Sequence, residues 1–239
     1  MRSVIYSMGV SLDGYIVGPD GDITAPPPDE EVWRLVTDEI REVGVHLLGR
    51  KLYETMLYWE TADEDPSLDD SEREWAAIWK PLPKVVFSTT LSAVQGNARL
   101  ATGGLAEEIE RLRAEPGEGD IAIGGATLAA QAAVLGLIDE YRARVYPVLV
   151  GGGIPFFPQR ERRVDLELVE TRTFSSRVVY LRYRVRASRL VHRARTAESS
   201  VRRALQPVHE RKRAGRSRQP ERDGRVGHHR IHPFLTPSA

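Results

Sequence analysis

Ile121-Ala122-Ile123 runs straight into Gly124-Gly125-Ala126-Thr127-Leu128, an apolar strand that passes through two glycines into an Ala-rich helix. Residues without side chains let a ligand come against the backbone. The first turn of a helix adds unpaired N–H donors at the positive end of its dipole, which suits a phosphate. The same glycines would also serve plain strand-on-helix packing. They do not form a G-x-G-x-x-G with an acid about 20 residues later, so the usual dinucleotide fingerprint is missing. Two more strand ends carry useful groups: Leu48-Gly49-Arg50-Lys51 sets two cations after a short apolar run, and Val86-Phe87-Ser88-Thr89-Thr90 sets three hydroxyls after another. Singly, Arg50 and Lys51 read as a solvated helix start and Ser88 as a cap or turn former. Jointly they point to one phosphate-rich ligand, because ligands of parallel sheets gather at the carboxyl ends of the strands.

Carboxylates able to exchange a proton with such a ligand stand in Ser11-Leu12-Asp13-Gly14 and in Asp29-Glu30-Glu31. A plainer role is open to each: Asp13 as a turn residue, and Asp29 to Glu31 as a cap and first helical turn. Gly151-Gly152-Gly153 is either another loop of close approach or a simple chain reversal. Hydrolytic chemistry is poorly supplied. There is no Cys and no G-x-S-x-G, and His46, the only His before residue 187, sits inside an apolar run where a core role is expected. No metal site is expected in the main domain. His228-His229-x-x-His232 has ligand types, but in a segment that would hold an ion poorly.

The elements that must position these groups follow from periodicity. Val4, Tyr6 and Met8 alternate as a strand that ends in glycine turns at Gly14 and Gly18 to Gly21. Asp29 to Val43 places Val32, Val36, Ile40 and Val43 on one helical face; Val45 to Gly49 is a buried strand, and Arg50 to Leu57 a helix start. Thr61 to Asp70 reads as a loop, Glu72 to Lys80 as a helix, Lys84 to Ser88 as a strand and the stretch around Leu105, Ile109 and Leu112 as a helix. Asp120 to Ile123 and the helix to Gly136 complete three β-then-α units, which predict a parallel sheet with helices on both faces. Tyr141 to Val150, Val164 to Thr173 and Val178 to Val185 then follow as strands without helices, the last two as an antiparallel hairpin around Phe174-Ser175-Ser176-Arg177. The fold class is α/β with a mixed sheet, parallel first and antiparallel at its end.

Composition divides the 239-residue chain. Its formal net charge of zero hides a segment from Arg186 to Ala239 with 13 Arg and one Lys against four acids, so the preceding 185 residues are about as negative as this segment is positive. We place a domain over residues 1–186 and an Arg-rich extension over residues 187–239 that cannot bury enough apolar surface to order itself. That extension could contact nucleic acid or another polyanion through phosphates, without sequence selectivity since Phe234 is its only aromatic residue. Its makeup also fits an extension read in a shifted frame, which is the preferred reading. The absent Cys fits a reducing cytosol. An N-terminus too soon interrupted by Asp13 to be a signal peptide, and no run of about 18 apolar residues, place the expected location in the cytoplasm, away from membranes.

In order and spacing, SMGVSLDGYIVGPDGDI, PDEEVWRLV, LLGRKLYE, LPKVVFSTTL, GDIAIGGATLAAQAAVLGLIDEYRARVYPVLVGGGIPFF and RVVYLRYRV resemble the dihydrofolate-reductase-like fold. More narrowly, they resemble the reductase domain of the bifunctional riboflavin-biosynthesis deaminase–reductase. The resemblance covers residues 1–186. It implies reduction of a small heterocyclic substrate by hydride from NADPH, the protein supplying binding and orientation, and family members often pair as homodimers. By the same resemblance Gly49, Arg50 and Lys51 grip the cofactor's phosphates, Ser88 and Thr89 flank the adenosine 2′-phosphate, and Gly124, Gly125, Ala126, Thr127 and Leu128 form the pyrophosphate turn. Asp13 belongs to the S-x-D-G loop beside the nicotinamide, and Asp29 or Glu30 stands near the carboxylate that dihydrofolate reductases use. Tyr15 occupies the place of a basic residue common in riboflavin-pathway reductases, and a deaminase zinc motif is impossible without Cys. The expectation is a stand-alone reductase of unassigned substrate, with a catalytically silent nucleotide-binding module or a polyanion-binding protein as alternatives.

Overall fold

The computed structural model describes residues 1–21, 29–158 and 163–186. The Arg-rich extension, its histidines and the proposed boundary's far side lie outside the described residues. Within them the chain builds β1 (Val4–Ser11), β2 (Tyr15–Val17), α1 (Glu30–Arg41), β3 (Val43–Gly49) and α2 (Arg50–Met56). It continues through α3 (Tyr58–Thr61), a 3₁₀ turn at Ala62–Glu64, α4 (Asp70–Trp79), β4 (Lys84–Phe87), β5 (Ala98–Leu100) and α5 (Leu105–Ala114). Then come β6 (Asp120–Gly124), α6 (Ala126–Leu135), β7 (Glu140–Tyr146), β8 (Ile154–Pro155), β9 (Leu166–Thr173) and β10 (Val179–Val185). Among the described residues, no helix is long and apolar enough to cross a membrane.

The main sheet has eight strands in the order β5-β4-β3-β6-β1-β7-β10-β9. All pairings from β5 to β7 are parallel, and β10 closes antiparallel on β7 and on β9. This is the mixed sheet the periodicity predicts, including the hairpin, where Arg177 takes φ +68° at the turn. Three differences have local causes. β7 stops at Tyr146 because Pro147 has no N–H to give a ladder. α4 begins at Asp70 because Asp69 and Glu72 form a capping box ahead of it. The connection before it is partly helical rather than open.

Strand alternation splits the core in two. Val4, Tyr6, Leu47, Val85, Ile121 and Ile123 face α5 and α6, while Ile5, Leu48, Val86 and Ala122 face α1, α2 and α4 with all four tryptophans. One charged cluster interrupts the apolar layers where α1 crosses β1, β7 and β10. Glu39 on α1 is 8% exposed and Arg142 and Arg144 on β7 are 1% and 2% exposed. Glu39 accepts from the Tyr180 hydroxyl at 2.7 Å, from Ser7 Oγ at 2.8 Å and from Arg144 Nη1 at 3.0 Å, with Arg142 Nη1 at 3.5 Å. Glu140 completes the cluster, accepting from Arg142 and Arg182 at 2.7 Å each. Charges taken out of water in this way hold only while every partner is present.

Glu39→Ala therefore takes from two buried guanidinium groups the carboxylate they share, Arg142 keeping only Glu140 at hydrogen-bond distance, and is expected to cost about 3–5 kcal/mol in urea unfolding. Glu30→Ala, which removes an exposed helix pair with Arg34, is expected to change stability by less than about 0.5 kcal/mol.

Candidate functional site

Parallel strands with right-handed crossovers put all their carboxyl ends on one edge of the sheet. Here β3, β4, β5 and β6 end around a cleft of about 780 Å³. Nine of the ten positions singled out for cofactor binding line it: Gly49, Arg50, Lys51, Ser88, Thr89, Gly125, Ala126, Thr127 and Leu128. Thr90 joins them. Arg50 is held ready rather than loose: its Nε donates to Glu54 Oε1 at 2.7 Å and its Nη1 to Thr90 Oγ1 at 2.6 Å. Ser88 Oγ accepts the N–H groups of Thr90 at 3.1 Å and Leu91 at 3.0 Å, so the hydroxyl loop is a fixed turn.

The fourth strand end is the tightest. Gly125 caps α6 at φ +91°, where a side chain would be strained, and makes no side-chain cap, leaving the first-turn N–H groups of a ten-residue helix facing the cleft. Gly124 does not line the cleft. It turns to the α1 side of the sheet, where an added Cβ would lie 2.5 Å from Leu52 Cδ2 and 2.7 Å from His46 Cε1. Its part is to let strand and helix approach. His46 itself is half-buried on that face: burial, with Lys84 nearby, pushes it down to about 4 against the upward pull of its contact with the Leu47 carbonyl.

Gly103, Gly104 and Leu105 also line the cleft, and no motif pointed to them. The available signal was Gly103-Gly104 before a helix, the same arrangement as Gly124-Gly125. Their turn is fixed by Glu108, 2% exposed on α5, which accepts the Thr102 N–H at 2.9 Å and Arg99 Nη2 at 2.8 Å and pairs with Arg111. Burial pushes its carboxyl up, but Arg99, the Thr102 N–H and Arg111 outweigh this and bring it to about 2.

Neither carboxylate named for catalysis reaches the lining of the cleft. Asp13 accepts Ser11 Oγ at 2.6 Å and the Gly151 N–H at 2.7 Å, and these bonds, with that of Val150, hold its carboxyl below the usual range. It ties the S-x-D-G loop to the triple-glycine loop, where Gly153 runs so close to Val17 that a Cβ would sit 2.0 Å from that carbonyl oxygen. The β2–β8 pair beyond them carries Ile16, Val17 and Ile154 to the cleft's apolar end, beside Met8. Asp29 is the N-cap of α1, accepting the Val32 N–H at 2.7 Å. Burial raises its carboxyl, yet hydrogen bonds led by Ser176 bring it below its ordinary value. Glu30 is an exposed partner of Arg34. Asp13 and Asp29 thus accept backbone N–H groups outside the lining of the cleft. No group of three or more His, Cys, Asp or Glu suited to a metal ion occurs among the described residues.

Residues 2–180 match the family model described as the RibD C-terminal domain. The uncharacterized protein YyaP of Bacillus subtilis (strain 168) is 34% identical over 182 residues, covering 76% of this chain and 94% of YyaP. A crystal structure of a protein ascribed to riboflavin biosynthesis in Shewanella sp. PV-4 superposes with a TM-score of 0.60 at 22% identity, over 78% of this chain and all of that one. RibD of Acinetobacter baumannii gives a TM-score of 0.56 at 20% identity, over 78% of this chain and 58% of that longer one. These structural likenesses establish the fold.

The Glu108 network sets an acid limb to stability. Its carboxyl is lowered from 4.5 to about 2 in the folded chain, so its contribution is complete above about pH 4.5 and lost as pH falls towards 2. Urea midpoints measured from pH 6 down to pH 2.5 are expected to fall less steeply for Glu108→Gln than for the unmodified chain.

Proposed function

The chain belongs to the family of the RibD C-terminal domain, and from that premise we propose that it is an NADPH-dependent reductase of a small heterocyclic substrate. One observation carries this reading: two cations, three hydroxyls and the open N-terminus of α6 converge at the strand ends of a single cleft. That donor set fits a phosphorylated dinucleotide. Gly125 gives the pyrophosphate access to backbone N–H groups, and Arg50, braced by Glu54 and Thr90, offers a planar fork to the 2′-phosphate. Bound there, NADPH supplies the hydride.

The remaining residues orient and exclude. Met8, Ile16, Val17 and Ile154 give the far end of the cleft an apolar wall where a nicotinamide can lie sheltered from water. Asp13 is a positioning residue in this scheme, holding the two loops that carry the wall. Gly103, Gly104 and Leu105 border the phosphate end on the β5 side. Pairing of two chains as a homodimer belongs to the same proposal and is supported by the edge strand β9, which exposes Leu168 and Val169 at 51% and 40%.

A chain that binds the cofactor but oxidises it with no substrate would be the silent binding module instead. Removing the guanidinium tests the cofactor assignment. Arg50→Ala is expected to weaken NADPH binding by roughly tenfold to a hundredfold while leaving NADH nearly unchanged, read from calorimetric Kd values, since a charge-assisted hydrogen bond contributes about 1.5–3 kcal/mol. Equal losses for both cofactors would remove Arg50 from the 2′-phosphate.

A further inference from the structure

A separate pocket of about 310 Å³ lies on the α6 side of the sheet, and it shares no lining residue with the cleft. α6 serves both. Its first turn and Gln131 border the cleft, while Ala133 and Val134, further along the helix, border the pocket. β7 contributes Tyr141 and β9 contributes Leu166, with Phe157 and Val164 from the segments between β8 and β9. Tyr141 is 8% exposed, whereas Phe157 and Val164 are 50% and 44% exposed. The pocket therefore has a closed floor and an apolar mouth in contact with water, and covering such a mouth is favourable.

Tyr141 is the one polar side chain that lines this pocket among the described residues. Its ring is set by Tyr6 and Phe156 at 6.4 Å each and by Phe157 at 5.5 Å. Its hydroxyl makes no hydrogen bond among the described residues, and the neighbouring Tyr6 hydroxyl supplies none, being itself without a partner. A tyrosine buried to this degree ordinarily places its O–H on an acceptor. Burial also pushes the Tyr141 hydroxyl up, so it remains a proton donor through the neutral range.

These features define the chemistry of an occupant. No charged side chain lines the pocket among the described residues, which leaves a phosphate or carboxylate without a partner there. The rings of Tyr141 and Phe157 stand at 52° to one another and offer a flat ring both face and edge contacts. A cavity of about 150 Å³ lined by aliphatic side chains admits benzene, so the volume here has room for two fused rings. A mostly apolar pocket with one placed polar group is the common form of a small-molecule site.

We propose that this pocket is a second small-molecule site, taking a neutral fused-ring aromatic compound whose single carbonyl oxygen accepts the Tyr141 hydroxyl. The rings lie against Phe157, Val134 and Leu166. The site is independent of the cofactor assignment, since it uses none of the cleft's residues.

The probe is 6-propionyl-2-(dimethylamino)naphthalene, a neutral ketone whose emission shifts to the blue in apolar surroundings. It is titrated into the full chain with and without saturating NADP⁺, and then displaced with 2-acetylnaphthalene or with 2-ethylnaphthalene, which lacks the acceptor. Saturable blue-shifted emission that NADP⁺ leaves unchanged is expected. Tyr141→Phe, which keeps the ring and loses only the hydroxyl, is expected to weaken 2-acetylnaphthalene by roughly three- to tenfold and to leave 2-ethylnaphthalene unchanged. Val134→Trp, which fills the pocket from α6, is expected to abolish probe binding. Absence of a saturable shift overturns the proposal, as does equal affinity for 2-acetylnaphthalene in Tyr141→Phe or retained binding in Val134→Trp. Displacement of the probe by NADP⁺ places it in the cleft and overturns the proposal too. So does loss of probe binding as the protein associates at rising concentration, which would make a second copy of the chain the occupant.

Discussion

The junction of β6 and α6 can carry no side chains, and the open space on either face of the sheet there depends on that bareness. A Cβ at Gly124 would collide with Leu52 and His46, and Gly125 stands at a positive φ that other residues rarely adopt. β6 is the strand between β3 and β1, so this junction sits where the crossovers on the two faces diverge. Gly125 presents helix N–H groups to the cleft while Gly124 borders a small hollow of about 90 Å³ on the opposite face, under α1. A larger residue at either position would push α2 away from the sheet or turn the α6 dipole off its target. The open space on both sides is thus the consequence of two missing side chains.

Two buried ion clusters keep the surroundings of that junction in place. Glu39 fastens α1 to β1, β7 and β10, and Glu108 fastens α5 to the turn after β5. Neither is an efficient source of net stability, because Glu39, Glu108, Arg142 and Arg144 have lost their water, while Arg99 and Arg111 keep part of theirs. Their value is directional. A carboxylate satisfied by several donors allows one geometry, and that geometry fixes one wall of the small hollow under α1 in one case and the rim of the cleft in the other. Asp13 and Asp29 act in the same manner with backbone donors, each sacrificing proton affinity to cap a loop or a helix.

Much of this was legible in the chain because it rests on local periodicity. The three β-then-α units, the terminal hairpin, and the strand ends at Gly49, Ser88 and Gly124-Gly125 each announce themselves by apolar alternation followed by glycine, cation or hydroxyl. The short strands β2, β5 and β8, of three, three and two residues, leave too little alternation to detect. The acids were harder, since residue type reveals a carboxylate but not its aim: Asp13 beside a glycine turn and Asp29 before a helix serve backbone N–H groups, and only geometry distinguishes that from a proton donor. The Glu39 cluster was present in the sequence as an acid on the apolar face of α1, between Val36 and Ile40, and as arginines at alternate positions 142 and 144. Recognising it required knowing that β7 lies under α1, a contact more than a hundred residues distant in the chain.

Amide hydrogen exchange of the full chain with and without NADPH tests the central assignment most directly, because it reports where the cofactor lies and not merely that it binds. Slowed exchange confined to residues 49–51, 88–90, 103–105 and 125–128, with no such pattern in α1 or β9, is the result these strand ends predict. Unchanged exchange at 49–51 and 125–128 under saturating NADPH would contradict it, and the cleft would then have to be assigned to another ligand.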